Sequence, residues 1–204
     1  MIYGGYATIV SSMKIGVLDI QGSVDEHLQM LEQLSVEIVR VKTAEDLLGL
    51  NGLIIPGGES TTISKLLTRF NLRKAIVESH KNGMAIWGTC AGAILLAKRV
   101  VSKTEVEGLG LMDITVERNA YGRQLESFET TFEMLIGPGS TGRPIPAIFI
   151  RAPKIAEPGE GVEVLAEHDG WIVAAREGKL LATSFHPELS ESSLVHQYFV
   201  AMCD

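Results

Sequence analysis

Residues 84–98, "MAIWGTCAGAILLAK", contain the pattern that decides the fold. The stretch 84–87 predicts a short buried strand, and the stretch 93–98 predicts the body of an apolar helix. Between them Cys90 stands in the middle of "GTCAG", with a glycine two residues away on either side. A residue at a sharp turn from strand to helix has an exposed side chain, and its neighbours must be small because the backbone crosses close to itself. The segment therefore predicts a nucleophile elbow with cysteine as the nucleophile.

The helix that follows is expected to place its N-terminus beside the Cys90 thiol. Unpaired N–H groups and the positive end of the helix dipole favour a thiolate placed beside them. The backbone N–H of Ala91 can donate to an oxyanion that develops when the thiolate attacks a carbonyl. The alternative is a buried structural cysteine, which is common in proteins. The flanking glycines favour the elbow.

Strand and helix patterns alternate through the first hundred residues. The strands are expected at 14–20, 36–41 and 53–55, and the helices at 24–34, 61–70 and 72–82. Such alternation predicts a parallel sheet with helices on both faces. Ligand sites in such sheets lie at the carboxyl ends of the strands. The loops expected there are 21–22, 57–60 and 88–92.

The start of the first helix carries a capping signature. Ser23 precedes the helix and Glu26 follows three residues later, which is the spacing of a capping box. We therefore expect the side chain of Ser23 to cap the helix.

The second half of the chain is richer in strand signals. Three strands are expected at 162–167, 171–176 and 180–185, and the turns "HDG" and "EGK" between them predict an antiparallel meander. A last helix is expected from about 192 to 203. The Gly/Pro-rich stretch 137–146 predicts a surface loop.

A cysteine nucleophile needs a base, and the base needs an orienting group. The segment "TSFHPELS" offers His186 and Glu188, whose side chains share a face if the segment is extended. His186 could take the thiol proton, and Glu188 could fix the tautomer of His186. A lone histidine is more often a core or surface residue, and we assign that role to the other four: His27, His80, His168 and His196.

The segment "IIPGGEST" follows the third expected strand. Gly57 and Gly58 allow backbone N–H groups to approach a substrate, and Gly58 is the candidate for a second oxyanion donor. The alternative is a tight turn before a capped helix, and the two interpretations are compatible.

Composition limits the remaining classes of function. The chain has 204 residues, enough for one domain with a sizeable core, and a formal net charge of −7, which argues against nucleic acid as a partner. No apolar run reaches the roughly 18 residues that cross a bilayer. Two cysteines without a signal peptide favour a cytosolic protein with free thiols. Residues 1–12 differ in composition, so the expected domain is 13–204.

Three motifs, PGGES, GTCAG and HPE, occur in the order typical of class I (triad) glutamine amidotransferases, which this sequence resembles. Longer strings narrow the resemblance to the glutaminase subunits of pyridoxal 5'-phosphate synthases. They are "LDIQGSVDEH", "LIIPGGESTT", "GTCAGAILLAK", "VERNAYGRQLESFE", "IFIRAP" and "TSFHPEL". The resemblance extends from Met13 to the end of the chain. One difference is Asp19, where a small residue is expected.

The resemblance implies a flavodoxin-like three-layer α/β fold with a mostly parallel central sheet. It also implies a site. The triad would be Cys90, His186 and Glu188, with Gly58 and Ala91 as the oxyanion hole. The glutamine-binding residues would be Gln21, Gly57, Gly58, Glu59, Arg118, Ile150 and Arg151. Arginine suits the α-carboxylate of glutamine because it donates paired hydrogen bonds.

The implied reaction is hydrolysis of L-glutamine to L-glutamate and ammonia. The ammonia would pass to a synthase subunit in a large hetero-oligomer that forms pyridoxal 5'-phosphate. The resemblance implies no metal, bound cofactor or membrane. Three alternatives stay open: a glutaminase that serves another synthase, a free-standing γ-glutamyl hydrolase, and a binding module without catalysis.

Overall fold

The computed structural model describes residues 13–118, 127–136, 139 and 141–204. Its strands are β1 (Lys14–Leu18), β2 (Glu37–Val41), β3 (Gly52–Ile55), β4 (Ala85–Thr89), β5 (Ala97–Val101), β6 (Met112–Glu117), β7 (Ser127–Leu135), β8 (Gly142–Ile150), β9 (Lys154–Ala156), β10 (Glu163–His168), β11 (Trp171–Glu177) and β12 (Leu180–Thr183). Its α-helices are α1 (Val24–Glu32), α2 (Ser60–Arg69), α3 (Leu72–Lys81), α4 (Ala91–Leu96) and α5 (Leu194–Met202). Two short 3₁₀ turns lie at Glu45–Leu47 and Pro187–Leu189.

The main sheet has the strand order β2-β1-β3-β4-β12-β11-β9-β6-β5, and β10 pairs with β11. From β2 to β12 all neighbours are parallel, in the order of the flavodoxin-like sheet. Strands β10, β11 and β12 form an antiparallel meander. The predicted fold, a mostly parallel flavodoxin-like sheet with an antiparallel C-terminal meander, is therefore confirmed.

Apolar side chains form a core on each face of the sheet. On one face, α2, α3 and α4 pack through residues such as Ile63, Ile76 and Leu95. On the other face, α1 and α5 pack together with the separate β7–β8 hairpin, through residues such as Leu31 and Phe199. The central strands β1, β3, β4 and β12 are buried on both faces, which is why the stretches that form them are nearly continuous apolar runs. These layers make the predicted sandwich.

The turn from β4 to α4 has the strained geometry of an elbow. Cys90 has φ 47° and ψ −99°, a conformation that non-glycine residues rarely adopt. A Cβ atom on Gly92 would overlap the backbone carbonyl of Ile55 in the neighbouring strand, and one on Gly88 would overlap the backbone of Gly92. The two glycines are thus required by the close crossing of three backbone segments.

The helix expected at 93–98 is shorter than predicted. It ends at Leu96, and Ala97–Val101 forms β5, which pairs with β6. In this strand Arg99 donates to Asp113 at 3.0 Å and to Thr115 at 2.8 Å, both on β6. The apolar run 93–97 ends at the first residue of the strand and not at the last residue of the helix, so periodicity alone could not place the boundary.

The prediction of a surface loop at 137–146 is wrong for residues 142–146. Residues 142–146 belong to β8, which pairs with β7 from Gly142 opposite Leu135 onward. Proline is tolerated here because each strand of a two-stranded sheet has an unpaired edge. Residues 137, 138 and 140 lie outside the described part of the chain.

Among the described residues, none of the helices combines the length and the hydrophobicity that a membrane span requires.

The close crossing at the elbow predicts an asymmetric response to two alanine substitutions. Gly92→Ala should lower the free energy of unfolding by about 1–3 kcal/mol or more, because overpacking against backbone is not relieved by moving a side chain. Gly161→Ala is the matched control, since its Cβ would meet only Glu177 Oε1 at 3.9 Å. Urea unfolding of both variants measures the difference. Equal free energies of unfolding for Gly92→Ala and Gly161→Ala would contradict the close backbone contact at Gly92.

Candidate active site

A cavity of about 510 Å³ opens at the carboxyl ends of β1, β3 and β4. The strand order reverses direction between β1 and β3, and such switch points are where α/β sheets bind ligands. Ten of the predicted site residues line this cavity: Gln21, Gly57, Gly58, Glu59, Cys90, Ala91, Arg118, Ile150, Arg151 and His186. The eleventh, Glu188, is buried behind His186.

Cys90 lies at the floor of the cavity. Its backbone N–H donates to the carbonyl of Thr183 at 2.8 Å, which attaches the elbow to β12. Its Sγ lies 3.9 Å from the carbonyl oxygen of Ile150, and Cys90 and His186 both line the cavity beside Gly57. Ala91 is the first residue of α4, so its N–H has no partner within the helix. This N–H is available to a ligand beside the sulfur.

The base and its orienting carboxylate meet through a 3₁₀ turn. His186 Nδ1 lies 2.7 Å from Glu188 Oε1, and the intervening Pro187–Leu189 turn brings the two side chains together. The expectation of an extended segment is wrong in this respect, although the expected contact is present. The N–H of His186 donates to the carbonyl of Ile148 at 2.8 Å, so the β7–β8 hairpin holds the base.

The pKa values of His186 and Glu188 are shifted in opposite directions. Burial lowers the pKa of His186, but hydrogen bonds with Cys90 and Glu188 outweigh burial and raise this pKa to about 10. Burial raises the pKa of Glu188, but the neighbouring His27 and His186 and the hydroxyl of Ser23 lower it to about 2. At neutral pH His186 is an imidazolium and Glu188 a carboxylate. The pair suits a proton donor held next to a sulfur nucleophile.

The loops after β1 and β3 are joined by hydrogen bonds. The N–H of Ser23 donates to the carbonyl of Gly57 at 3.0 Å, and the N–H of Glu59 donates to Gln21 Oε1 at 2.8 Å. Gly22 has φ 115°, and a Cβ there would overlap the carbonyl of Gly57. Gly57 itself packs against the imidazole of His186. The two loops therefore form one wall of the cavity.

Glu59 caps helix α2. Its carboxylate accepts from the N–H of Thr61 at 3.1 Å and of Thr62 at 2.7 Å, so the capped helix expected after Gly58 is confirmed. Burial acts to raise the pKa of Glu59, but these hydrogen bonds lower it to about 2. Arg118 Nη2 lies 3.2 Å from Glu59 Oε1, which fixes the guanidinium at the rim of the cavity. Asn119, its neighbour in the motif, lies outside the described residues.

Arg151 also lines the cavity and follows Ile150, the last residue of β8. Its backbone has φ 44°, the left-handed conformation, which is sparsely populated by residues other than glycine. Such strain is found where a fold holds a functional residue in place. Arg118 and Arg151 thus bring two guanidinium groups to the same cavity.

The capping box predicted at Ser23 is wrong. The side chain of Ser23 makes no cap; its hydroxyl donates to Glu188 Oε1 at 2.6 Å. Glu26, the other half of the predicted box, lines the cavity. Neither residue was predicted as part of the site. The available signal was the position of Ser23 directly after the loop 21–22 and of Glu26 three residues further on.

Asp19, the residue that differs from the expected family pattern, forms ion pairs with two basic residues. Its carboxylate lies 3.2 Å from Arg40 Nη1 and 3.3 Å from Lys42 Nζ. Arg40 in β2 and Lys42 directly after it therefore compensate the carboxylate that follows the first strand.

A flavodoxin-like sheet that presents Cys90, His186 and Glu188 together at its strand ends has the architecture of the class I glutamine amidotransferases. The profile of the SNO glutamine amidotransferase family matches residues 17–204. This chain belongs to that family.

Individual relatives agree with this membership. "Pyridoxal 5'-phosphate synthase subunit PdxT" of Niallia circulans is 53% identical over 190 residues, which are 93% of this chain and 97% of the relative. The protein of the same name from Brevibacillus brevis is 54% identical over 190 residues, with the same coverage. A crystal structure described as a glutamine amidotransferase superposes with a TM-score of 0.85 at 44% identity, and the match covers 93% of this chain and 98% of that one.

The pairing of His186 with Glu188 predicts a shift in the pH dependence of turnover. The carboxylate stabilises the imidazolium, so Glu188→Gln should lower the pKa of His186 and move the alkaline limb of glutamine turnover downward by about one to three pH units. Turnover measured from pH 6 to about pH 10 tests this. Glu191→Gln, which removes an exposed carboxylate three residues along the chain, is the control. An unmoved alkaline limb in the Glu188→Gln variant would contradict the pairing.

Proposed function

We propose that this chain hydrolyses L-glutamine to L-glutamate and ammonia through Cys90, His186 and Glu188, and that it delivers the ammonia to a synthase subunit that forms pyridoxal 5'-phosphate. The observation that carries the proposal is that Cys90 and His186 line the same cavity beside Gly57, with His186 Nδ1 2.7 Å from Glu188 Oε1. Family membership and the names of the relatives support the choice of substrate and product.

The first half of the reaction forms a thioester. The thiolate of Cys90 attacks the side-chain amide carbon of glutamine, and the oxyanion accepts hydrogen bonds from the N–H groups of Ala91 and Gly58. The C–N bond then breaks, and His186 gives its proton to the leaving nitrogen, which departs as ammonia. The raised pKa of His186 keeps the proton on the imidazole until this step.

The second half releases glutamate. Water loses a proton to His186 and attacks the thioester carbon, the oxyanion forms at the same donors, and the C–S bond breaks to return the thiolate. Glu188 holds His186 in the orientation that serves both halves, and its negative charge stabilises the imidazolium.

Recognition of glutamine is assigned to the walls of the cavity. The guanidinium groups of Arg118 and Arg151 are suited to the α-carboxylate, and Glu59 offers a carboxylate to the α-ammonium group. Gln21, Gly57 and Ile150 provide the remaining contacts. We also propose that 13–204 forms a single amidotransferase domain and acts in the cytosol in a hetero-oligomer, as the resemblance and the free cysteines suggest.

The nucleophile assignment predicts different outcomes for the two cysteines. Cys90→Ala should reduce glutamate release by at least about 10³-fold, as expected when a nucleophile is removed, and should keep the fold. Cys203→Ser should keep near wild-type activity, because Cys203 is buried at the end of α5 and burial raises its pKa to about 12. A coupled assay for glutamate measures both. Wild-type activity in the Cys90→Ala variant would reject the nucleophile.

The proposed partnership predicts that the chain alone is a poor glutaminase. Hydrolysis without a synthase would waste glutamine, and a misplaced oxyanion donor costs about 10²–10³ in rate. The Gly57–Gly58 peptide is the candidate control point, because glycine permits reorientation and the Gln21–Gly22 loop touches it.

Titration of the purified chain with a pyridoxal 5'-phosphate-forming synthase subunit tests this partnership. Glutamate release should rise with synthase concentration and reach a plateau. The Cys90→Ala chain in the same titration corrects for any glutaminase carried in with the synthase. Equal rates with and without the synthase would favour a free-standing hydrolase instead.

A further inference from the structure

The carboxylate of Glu188 is buried, and its two oxygens have different surroundings. Oε1 accepts from the hydroxyl of Ser23 at 2.6 Å and from His186 Nδ1 at 2.7 Å. Oε2 has no hydrogen bond of good geometry, but it lies 3.5 Å from His27 Nε2. A buried carboxylate oxygen without a donor is costly, so the state of the His27 ring decides how well Glu188 is held.

His27 belongs to a buried pair of histidines. Its Nδ1 lies 2.9 Å from His196 Nε2 on α5, and both rings pack edge-on against Trp87, with centroid distances of 5.5 Å and 4.8 Å. Burial lowers the pKa of both histidines, so each ring is neutral and carries one proton. A neutral imidazole has one donor and one acceptor, and the pair can therefore share its protons in only two consistent ways.

The two arrangements differ in what they present to Glu188. If His196 Nε2–H donates to His27 Nδ1, then His27 carries its proton on Nε2, which lies 3.5 Å from Glu188 Oε2 and 3.3 Å from the hydroxyl of Thr89. The atom left without a partner is then His196 Nδ1, a bare acceptor. If the protons are reversed, a lone pair of His27 faces the carboxylate, and His196 Nδ1–H becomes a buried donor without an acceptor. The first arrangement is favoured because it places no lone pair of His27 against the carboxylate and leaves no N–H group of His196 buried without an acceptor. Buried N–H groups without a partner are rare in proteins.

We propose that Ser23 and His27 are positioning residues for the proposed glutaminase reaction, each donating to one oxygen of Glu188, and that His196 selects the tautomer of His27. The inference rests on the proposed function, because it extends the line Cys90–His186–Glu188 inward. Ser23 and His27 are four residues apart at the start of α1, a spacing that places both side chains on one face. The first turn of α1 therefore fixes the carboxylate that orients the base.

The tautomer is tested first, with no need for activity. The full chain is labelled with ¹⁵N-histidine, and the ring nitrogens are recorded by NMR near neutral pH, with His27→Gln and His196→Gln variants to assign the signals. The expected result is a neutral His27 protonated at Nε2 and unprotonated at Nδ1. Protonation at Nδ1 would overturn the proposal even if the chain proves to have no glutaminase activity.

Kinetics then tests the positioning role with variants chosen in pairs. Ser23→Ala and His27→Leu each remove one donor to Glu188, whereas His27→Gln keeps an N–H group on the side chain. His80→Gln is the control, because His80 Nδ1 lies 2.9 Å from the carbonyl oxygen of Met84 and His80 is not among the residues that line the cavity. Saturating amounts of the synthase subunit are present throughout.

Ser23→Ala and His27→Leu should lower kcat roughly 10- to 100-fold with little change in KM for glutamine, since a small misplacement of the base is that costly. His27→Gln should recover part of the loss, and His80→Gln should match the wild type. A kcat near wild type in Ser23→Ala and His27→Leu overturns the proposal. If His27→Leu fails to fold, Ser23→Ala and the NMR result decide. A wild-type chain without glutamine hydrolysis would reject the proposed function, while the tautomer remains measurable.

Discussion

The site depends on the close crossing of backbone where β4 turns into α4. Because Gly92 lies against the carbonyl of Ile55 with no room for a Cβ, α4 starts directly above the ends of β3 and β4. Cys90 is thereby held at φ 47°, with its sulfur in the cavity and the first unpaired N–H of the helix beside it. The strain is local, whereas the layers that enforce it extend over the whole sheet. The core of the protein thus stabilises a conformation that the turn alone would not adopt.

Behind the cysteine, polar groups are buried in an otherwise apolar layer. Glu188, His27 and His196 all lie inside the face formed by α1 and α5, where an unpaired charge would be strongly unfavourable. The charge is tolerated because His186 lies at its cavity side and the Ser23 hydroxyl donates to the same oxygen. Two helices that are distant in sequence are therefore coupled to the catalytic groups through hydrogen bonds as well as through apolar packing.

The sequence predicted the parallel part of the fold because each of its elements carries a local signal. The elbow, the glycine loop at 57–58 and the pair His186 and Glu188 were predicted for the same reason. The strands β5 to β9 were not predicted, although β5 pairs with β6 and β7 pairs with β8, which are consecutive strands in the chain. Sequences such as AKRVV in β5 and SFETTFEML in β7 mix charged and polar residues with apolar ones, so they lack the continuous apolar runs of β3 and β4. Ser23 was assigned to a helix cap because the capping pattern is local, whereas its actual acceptor is 165 residues away. Likewise the surroundings of His27 and His196 depend on the packing of α1 against α5, which periodicity does not show.

Strand β8 contributes to the site at two carbonyls, those of Ile148 and Ile150, which lie near the backbone of His186 and the sulfur of Cys90 respectively. Alternate carbonyls along a strand share an orientation, so one stretch of β8 sets the spacing between base and nucleophile. A slip of one residue in its pairing with β7 would turn both carbonyls away. The register of the β7–β8 hairpin must therefore be kept at the end that carries Ile148 and Ile150. Changes of length are compatible with catalysis only at the opposite end, beyond the Leu135–Gly142 pair.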